Sequence, residues 1–358
     1  MSPLKDEIVA MIAQEGPITL ERYMSLCLSH PKYGYYITRD PFGQNGDFVT
    51  APEISQMFGE LLGVWLVEAW RAAGSPSPVR LAELGPGRGT LMSDVLRVAR
   101  IAPPFLEALT LHLVETSPVL RERQRETLAG AGKEPQWHSD AGEIPPGPAF
   151  ILANEFFDAL PVRHFVKTIG GWRERLVGLG HEGELTFGLL DAPREDLVVE
   201  AKEGSIIEIG AAGQTVMADL AARIAAQGGA MLAIDYGYEH TSLGDSFQAV
   251  KGHDYVDPLA EPGEADLTAH VDFAALARAA RGVGAKVLGP TTQGAFLQRL
   301  GITQRAATLA RKATPEQAEA IGAALRRLTD AEDPRDMGAL FKVVAITHPA
   351  LPDLPGFA

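Results

Sequence analysis

The fold class is decided by the stretch Leu81-Ala82-Glu83-Leu84-Gly85-Pro86-Gly87-Arg88-Gly89-Thr90. An apolar run ends where three glycines alternate with other residues, and a segment with helical spacing follows. Glycine permits a tight turn and a close approach of a ligand to the backbone, while the first turn of a helix presents free N–H groups. The pattern therefore predicts a strand, a glycine-rich turn and a helix that together bind a nucleotide-like ligand.

Apolar runs typical of buried strands recur on both sides of this turn and alternate with helical patterns. The strand-like runs lie at 79–84, 111–115, 136–139, 150–154 and 230–235, and the helical ones include 93–99, 118–129 and 215–226. Such alternation predicts an α/β fold with a mostly parallel, doubly wound sheet that helices cover on both faces. Residues 285–288 and 341–346 are expected to add two further strands.

Three regions of the chain differ in character. Residues 1–73 are predicted to form an N-terminal helical segment and lid, within which Thr50 and Glu53 suggest a capping box at a helix start. Residues 74–358 are predicted to form the core, which begins after a break rich in proline and serine. Strand-like runs with few helical signals between about 162 and 210 predict an antiparallel insertion after the fourth strand.

Charge and cysteine content narrow the classes of partner. The chain has 358 residues and a formal net charge of −14, and a negative surface repels phosphate, so no nucleic acid partner is expected. Cys27 is the only cysteine, which excludes an intramolecular disulfide and indicates a reducing compartment. The chain start lacks a basic-then-apolar pattern and no apolar run reaches about 20 residues, so we expect a cytoplasmic protein without membrane insertion. The histidines form no metal-binding motif, and no metal is predicted.

Carboxylates follow the first strands in positions suited to a nucleoside ligand. Glu83 stands near the end of the first strand, as is typical of sites for S-adenosylmethionine (SAM), and Glu115 ends the second strand, where it is placed to bind ribose hydroxyls. Asp140 follows the third strand and is placed to contact the adenine amino group. Thr90 stands where the dinucleotide fingerprint needs glycine or alanine, which weighs against a nicotinamide-dependent oxidoreductase. The predicted cofactor-binding residues are Glu83, Gly85, Pro86, Gly87, Gly89, Glu115, Asp140, Asn154 and Asp47.

Five blocks of the sequence resemble the MidA-like SAM-dependent methyltransferases. They are GDFVTAPEIS at 46–55, ELGPGRGT at 83–90, ANEFFDALP at 153–161, IDYGY at 234–238 and ADLTAHVDF at 265–273. The resemblance implies a Rossmann-like class I methyltransferase fold with SAM as the cofactor. Mitochondrial members of the family methylate protein arginine and assist assembly of respiratory complex I. The resemblance therefore implies arginine methylation on a protein, with a complex I subunit as one expected partner.

The segment after the fourth strand carries the predicted catalytic residues. A guanidinium is protonated at neutral pH, and carboxylates can hold it and help to remove a proton. We hypothesise that Glu155 orients an acceptor arginine, with Asp158 as a second carboxylate, because ligands gather beyond the carboxyl ends of parallel strands. The alternative for Asp158 is a turn cap, and the two phenylalanines between these acids are expected in the core. His270 is expected to be structural rather than a base.

Asp47 and the overall activity each leave alternatives open. Asp47 lies in a glycine-flanked loop and either closes over the cofactor or serves as a turn residue. In place of an enzyme, a non-catalytic assembly factor could retain the SAM fold, although such a scaffold has no need of Glu83, Glu115 and the three glycines. A small-molecule acceptor is a further alternative. The oligomeric state is left open.

Overall fold

The computed structural model describes residues 2–39 and 50–357, so Asp47 lies outside the described residues. The part before the central sheet is mainly helical. Its elements are α1 (Pro3–Glu15), β1 (Ile18–Thr19), α2 (Leu20–Ser29), α3 (Tyr35–Thr38), α4 (Ala51–Ile54) and α5 (Gln56–Ala72). Among the described residues, no helix combines the length and apolar character needed to cross a membrane.

Thr50 is the N-cap residue of α4, as predicted, but the predicted capping box is wrong. The Thr50 side chain makes no capping hydrogen bond, and α4 ends at Ile54 because the extended backbone of Ser55 interrupts the helix. The Ser55 hydroxyl instead accepts the backbone N–H of Met57 at 3.2 Å and caps α5. Glu53 is turned away from Thr50, since its carboxylate accepts the Thr90 hydroxyl at 2.6 Å. A tertiary hydrogen bond has therefore replaced the local one.

The first half of the core alternates strands and helices as predicted. Its elements are β2 (Val79–Leu84), α6 (Thr90–Ala99), α7 (Pro103–Ala108), β3 (Leu109–Val114), α8 (Pro118–Thr127), β4 (Pro135–His138), a 3₁₀ turn (Ala141–Glu143) and β5 (Ala149–Asn154). The glycine-rich turn lies between β2 and α6.

The predicted β-rich insertion is confirmed. It holds β6 (Arg163–Thr168), β7 (Gly171–Leu179), β8 (Leu185–Leu189) and β9 (Ile206–Ile209). All pairings among these strands are antiparallel, and β1 from the N-terminal part also pairs with β7. The insertion sheet therefore includes a strand that precedes the core in sequence.

The rest of the chain completes the central sheet and adds a small sheet and a helical group. Its elements are α9 (Ala211–Gln227), β10 (Gly229–Tyr238), β11 (Gln248–Lys251), β12 (Asp254–Val256), β13 (Asp266–Thr268), β14 (Val271–Asp272), α10 (Phe273–Gly282), β15 (Lys286–Thr292), α11 (Gln293–Arg299), α12 (Ile302–Ala310), α13 (Pro315–Thr329), α14 (Met337–Leu340) and β16 (Phe341–Thr347).

The central sheet has the strand order β15-β16-β10-β5-β2-β3-β4, with β14 paired to the end of β10. Strands β10, β5, β2, β3 and β4 are parallel, whereas β16 runs antiparallel to its neighbours. Leu84 is in register with Val114 and Ala153, so the ends of β2, β3 and β5 meet at one edge. The prediction of a mostly parallel, doubly wound α/β sheet is confirmed.

Apolar side chains fill both sides of the sheet. One side packs against α5 and α6, with Trp65 and Phe105 fully buried, and the other packs against α9 and α10. A separate cluster joins α1 and α2 to the insertion through Leu28, Val177 and Leu185. Residues 1–73 thus contact both the core and the insertion, and the division of the chain at residue 73 stays a prediction.

Candidate functional site

The glycine-rich turn places its backbone at the carboxyl edge of the sheet. Gly85, Gly87 and Gly89 all have positive φ angles, at 59°, 52° and 83°, which L-residues with side chains rarely adopt. The Gly85 N–H donates to the Val114 carbonyl at 3.0 Å, which ties the turn to β3. A Cβ atom at position 85 would also stand 3.2 Å from the Phe156 ring. The turn therefore needs glycine for both conformation and space.

Unpartnered acceptors face the start of this turn. Glu83 is 3% exposed, and its Oε2 has no hydrogen-bond partner among the described residues. The Oδ1 of Asn154 at the end of β5 is likewise buried without a partner. Burial raises the pKa of Glu83 to about 8. A cation placed here would satisfy both acceptors and restore the charge of Glu83.

A small cavity of about 40 Å³ joins these groups to α4. Glu53, Glu83, Asn154, Glu155 and the glycine-rich turn line it. Glu53 enters from the N-terminal part, where it accepts the Thr90 hydroxyl at the start of α6. The cavity is rich in acceptors, which suits the α-ammonium of an amino acid.

Glu115 is held in place on the other side of the turn. Its Oε1 accepts the Ser117 N–H at 2.8 Å and its Oε2 accepts the Gln124 Nε2 at 3.2 Å. Gln124 also donates to the Gly87 carbonyl at 2.8 Å, so one side chain links the turn to this acid. Although burial raises the pKa of Glu115, the Ser117 and Gln124 donors oppose that shift. A fixed carboxylate at this position is suited to ribose hydroxyls.

A larger cavity of about 310 Å³ extends from the turn to the end of β4. Gly85, Gly87, Glu115, Asp140 and Glu155 are among the residues that line it. Asp140 begins the 3₁₀ turn, where its Oδ1 accepts the Gly142 N–H at 2.7 Å. One oxygen of Asp140 thus has a structural role, and the side chain still borders the cavity.

Glu155 occupies a strained position at the end of β5. Its φ angle is 51°, which is uncommon for a residue with a side chain and often marks a functional site. Its Oε1 accepts the Asn154 Nδ2 at 3.1 Å and the Ala51 N–H at 3.4 Å. Burial and the nearby charge of Asp158 raise the pKa of Glu155 to about 7. Glu155 borders both cavities, so it lies where they meet.

Asp158 and Asp235 add two buried carboxyl groups behind Glu155. The Asp158 Oδ2 accepts the Tyr236 hydroxyl, while its Oδ1 is buried without a described partner. The Asp235 Oδ2 accepts three backbone N–H groups, those of residues 156–158, at 2.9–3.1 Å. Burial raises the pKa of Asp158 to about 6. Asp235 therefore fixes the turn that carries both predicted catalytic acids.

The remaining predicted positions fall as follows. Phe157 is buried in the core, as expected, whereas Phe156 borders the larger cavity. His270 packs edge-on against the Tyr236 ring at a centroid distance of 5.6 Å, and burial lowers its pKa. Asp272 caps α10 by accepting the Ala275 N–H at 2.8 Å. These contacts give His270 and Asp272 structural partners.

One group among the described residues has ligand atoms close enough for a metal ion. His164, Glu208 and Asp245 bring theirs within 4.8 Å of one another. However, Arg175 Nη1 lies 2.9 Å from Asp245 and 3.3 Å from His164 Nδ1. The arginine already supplies the positive charge between these two residues, which disfavours a second cation.

The sequence reasoning missed Glu53, Gln124, Asp235 and Tyr36 as residues of this site. The Tyr36 side chain borders the larger cavity, and its hydroxyl donates to Asp266 at 2.8 Å. Gln124 carries no local signal, because it lies within a helix of charged residues. Asp235 ends the predicted strand at 230–235, but its three N–H partners depend on how β10 lies beside β5.

The fold and this site define a class of protein. A family model described as an S-adenosyl-L-methionine-dependent methyltransferase matches residues 61–291, and the chain belongs to this family. The chain is also similar to a Burkholderia thailandensis protein solved with bound S-adenosyl-homocysteine. That structure is 30% identical, with a TM-score of 0.87 and coverage of 99% of this chain and 94% of the other.

Curated relatives extend the similarity. The protein arginine methyltransferase NDUFAF7, mitochondrial, of Homo sapiens is 40% identical over 331 residues, which cover 85% of this chain and 75% of the relative. The Danio rerio protein of the same name is 41% identical over 324 residues, covering 83% and 76%. This chain is therefore a SAM-dependent methyltransferase, and the prediction of SAM as the cofactor is confirmed. The mitochondrial names contradict the cytoplasmic location that we expected, so that expectation is wrong.

Proposed function

We propose that this enzyme transfers a methyl group from SAM to an arginine side chain of a protein substrate. The observation that carries the proposal is the cluster of Glu155, Asp158 and Asp235 at the ends of β5 and β10. Asp158 and Asp235 are buried and Glu155 is half-buried; within the described residues no salt bridge joins any of them to a cation, and Arg327 acts on Glu155 only as a nearby charge. A guanidinium from outside would supply the missing charge and hydrogen-bond donors.

The residues at the turn are assigned to the cofactor. The unpartnered Oε2 of Glu83 and Oδ1 of Asn154 would accept the α-ammonium, and the backbone of Gly85, Pro86, Gly87 and Gly89 would lie along the amino-acid end. Glu115 would bind the ribose and Asp140 the adenine, since both side chains border the larger cavity. When bound, SAM supplies a methyl group that is already activated for transfer.

The catalytic assignment follows from position and charge. Glu155 borders both cavities that are assigned to the cofactor, so its carboxylate would hold the acceptor guanidinium beside the bound SAM. With a pKa near 7, it is suited to accept the proton that the guanidinium nitrogen loses as the new C–N bond forms. Asp158, oriented by the Tyr236 hydroxyl, would fix the other side of the planar group.

Relatives named as protein arginine methyltransferases support the choice of arginine on a protein. The resemblance to the MidA-like family further favours a subunit of respiratory complex I as the substrate. We therefore propose that the acceptor arginine belongs to such a subunit.

The experiment uses an extract from cells that lack this protein. The purified enzyme and methyl-labelled SAM are added, and labelled protein is hydrolysed to amino acids. We expect the label in methylarginine and absent from it with the Glu155→Gln variant. Label in lysine, or only in small molecules, would refute the arginine assignment. Mass spectrometry of isolated complex I, with and without the enzyme, tests the identity of the substrate separately.

A further inference from the structure

We propose that the outer edge of β8 binds an extended, basic segment of the substrate protein, an inference that rests on the proposed protein substrate. Strand β8 has a partner on one side only. It pairs antiparallel with β7, and among the described residues no other strand pairs with β8. An open strand edge presents unpaired N–H and C=O groups to which an extended peptide can bind.

The chain continues along β7 beyond β8, which leaves the same edge open over a longer stretch. The Leu190 N–H donates to the Glu174 carbonyl at 2.8 Å, and the Arg194 N–H donates to the Trp172 carbonyl at 2.7 Å. The inner hydrogen bonds of this segment are therefore made with β7. The outer side remains available to another chain.

Apolar side chains are exposed along this edge. Phe187 is 38% exposed, and Leu189 and Leu190 are each 43% exposed. Only Leu185 of β8 is buried, where it joins the cluster with α1 and α2. Single exposed apolar side chains are common on protein surfaces, whereas several that follow one another along an open strand edge indicate a binding surface.

The charge of this region indicates the chemistry of the partner. Residues 181–204 contain seven acidic side chains and two basic ones, and all seven acids are exposed. The two arginines on the neighbouring strand β7 are already engaged, since Arg175 pairs with Asp245 and lies over the Phe187 ring, and Arg173 lies 4.0 Å from Asp191. The surface therefore matches a segment that is apolar and positively charged.

A second copy of this chain fits the same edge poorly. β8 itself carries no charged residue, but antiparallel pairing with its copy would bring the acids that flank it, Glu184 and Asp191, towards the spacing of neighbouring strands, about 4.8 Å. That spacing is shorter than the screening length at physiological salt, about 8 Å, so the repulsion would persist. A basic segment meets no such repulsion.

The β8 edge and one wall of the site are joined by the same hydrophobic cluster. Leu185 of β8 and Leu28 of α2 belong to one hydrophobic cluster, and Leu28 borders the larger cavity beside Glu155. A substrate held at β8 would therefore be held relative to the cavity. This arrangement would favour arginines that lie in basic, extended segments.

The test measures binding of a fluorescein-labelled peptide of four Arg-Val repeats, without SAM. We expect Leu189→Lys and Glu195→Lys each to weaken binding about tenfold, because they place positive charge on the edge. The matched control Ile101→Lys alters an apolar residue that is 71% exposed elsewhere on the surface, and it should change the affinity less than about twofold. All three variants should bind S-adenosyl-homocysteine like the wild type, which verifies the fold.

A second peptide of four Arg-Pro repeats separates strand pairing from charge alone. It has the same charge, but proline removes every second N–H and fixes φ near about −65°, which disfavours a paired strand, so we expect it to bind at least about tenfold more weakly. Equal binding of the two peptides, or equal weakening by Ile101→Lys, would overturn the proposal. A wild-type dimer in sedimentation that Leu189→Lys dissociates would assign the edge to a second copy instead. These results do not depend on methyl transfer, so the proposed function can fail separately.

Discussion

Two buried acidic centres of this protein differ in where their positive charge comes from. Glu60 on α5 is 5% exposed and accepts hydrogen bonds from Arg97 on α6 and Arg305 on α12, at 2.7–2.9 Å. Although burial opposes ionisation, these two guanidinium groups lower the pKa of Glu60. Asp158 is buried as well and Glu155 is half-buried, yet the loss of hydration raises their pKa values to about 6 and about 7.

The comparison teaches what separates a structural acid from a proposed catalytic one. A buried carboxylate with an internal arginine joins helices and leaves no group unsatisfied. A buried carboxyl group without an internal arginine can still bind a cation. A substrate that carries a positive charge can supply that cation. The Glu60 centre is thus an internal example of the contact that we propose for an arginine from another protein.

The largest effect is expected from Glu155→Gln. The variant keeps the shape of the side chain but removes the charge that holds and deprotonates the guanidinium, so methyl transfer should fall about 10²–10⁴-fold. Affinity for S-adenosyl-homocysteine, measured by calorimetry, should change less than about twofold. Near-normal turnover in this variant would remove Glu155 from the mechanism.

The next largest effect is on cofactor affinity, and it separates the acids assigned to the α-ammonium from the acid assigned to the ribose. Glu83→Gln and Glu53→Gln should weaken SAM binding about 10–100-fold by removing acceptors for the α-ammonium, while 5′-methylthioadenosine, which lacks that group, should bind as before. Glu115→Gln should weaken both ligands, because both carry the ribose. Calorimetry with the two ligands measures this, and an equal loss of both in Glu83→Gln would contradict the assignment.

A moderate effect is expected from pH. Because the pKa of Glu155 is raised to about 7, its carboxyl group is increasingly neutral below that pH. The value of kcat/KM for methyl transfer should therefore fall about tenfold between pH 8 and pH 6. Residual activity of Glu155→Gln should lack this acidic limb, whereas an unchanged profile in the variant would assign the titration to another group.

The smallest effect on the site is expected from Glu60→Gln, which disrupts the other acidic centre. The side chains of Arg97 and Arg305 are 44% and 35% exposed, so solvent screens part of the loss. We expect the free energy of unfolding to fall by about 2 kcal/mol, below the usual range for a fully buried pair. Denaturant unfolding measures this, and SAM affinity and kcat should stay within about twofold. A large loss of turnover without a loss of stability would mean that the comparison is wrong.

The sequence sufficed for features with a regular pattern. The apolar runs predicted β2, β3, β4, β5 and β10, and the carboxyl ends of those strands located the acids at one edge of the sheet. The glycine-rich turn was recognised because its requirement for glycine is local. The break at Ser55 was missed because Thr50 and Glu53 fit a capping pattern that a tertiary bond to Thr90 overrides.

Features that depend on strand register were beyond prediction. The role of Asp235 rests on three N–H groups from a turn almost 80 positions earlier, and no local pattern signals such a contact. The sequence predicted an antiparallel insertion at about 162–210 but not its long strand β7, because Arg173, Glu174 and Arg175 interrupt the apolar pattern of that strand on both faces. The difference between Glu60 and Glu155 is likewise tertiary, since it depends on which arginines the fold brings near.

The most direct measurement compares the two acidic centres in cells that lack this protein. Cells are complemented with the wild type, Glu60→Gln or Glu155→Gln, and their proteins are searched for methylarginine by mass spectrometry. We predict at least one methylarginine site that the wild type and Glu60→Gln restore and Glu155→Gln does not. Restoration of the same site by Glu155→Gln, at equal protein level, would contradict the account.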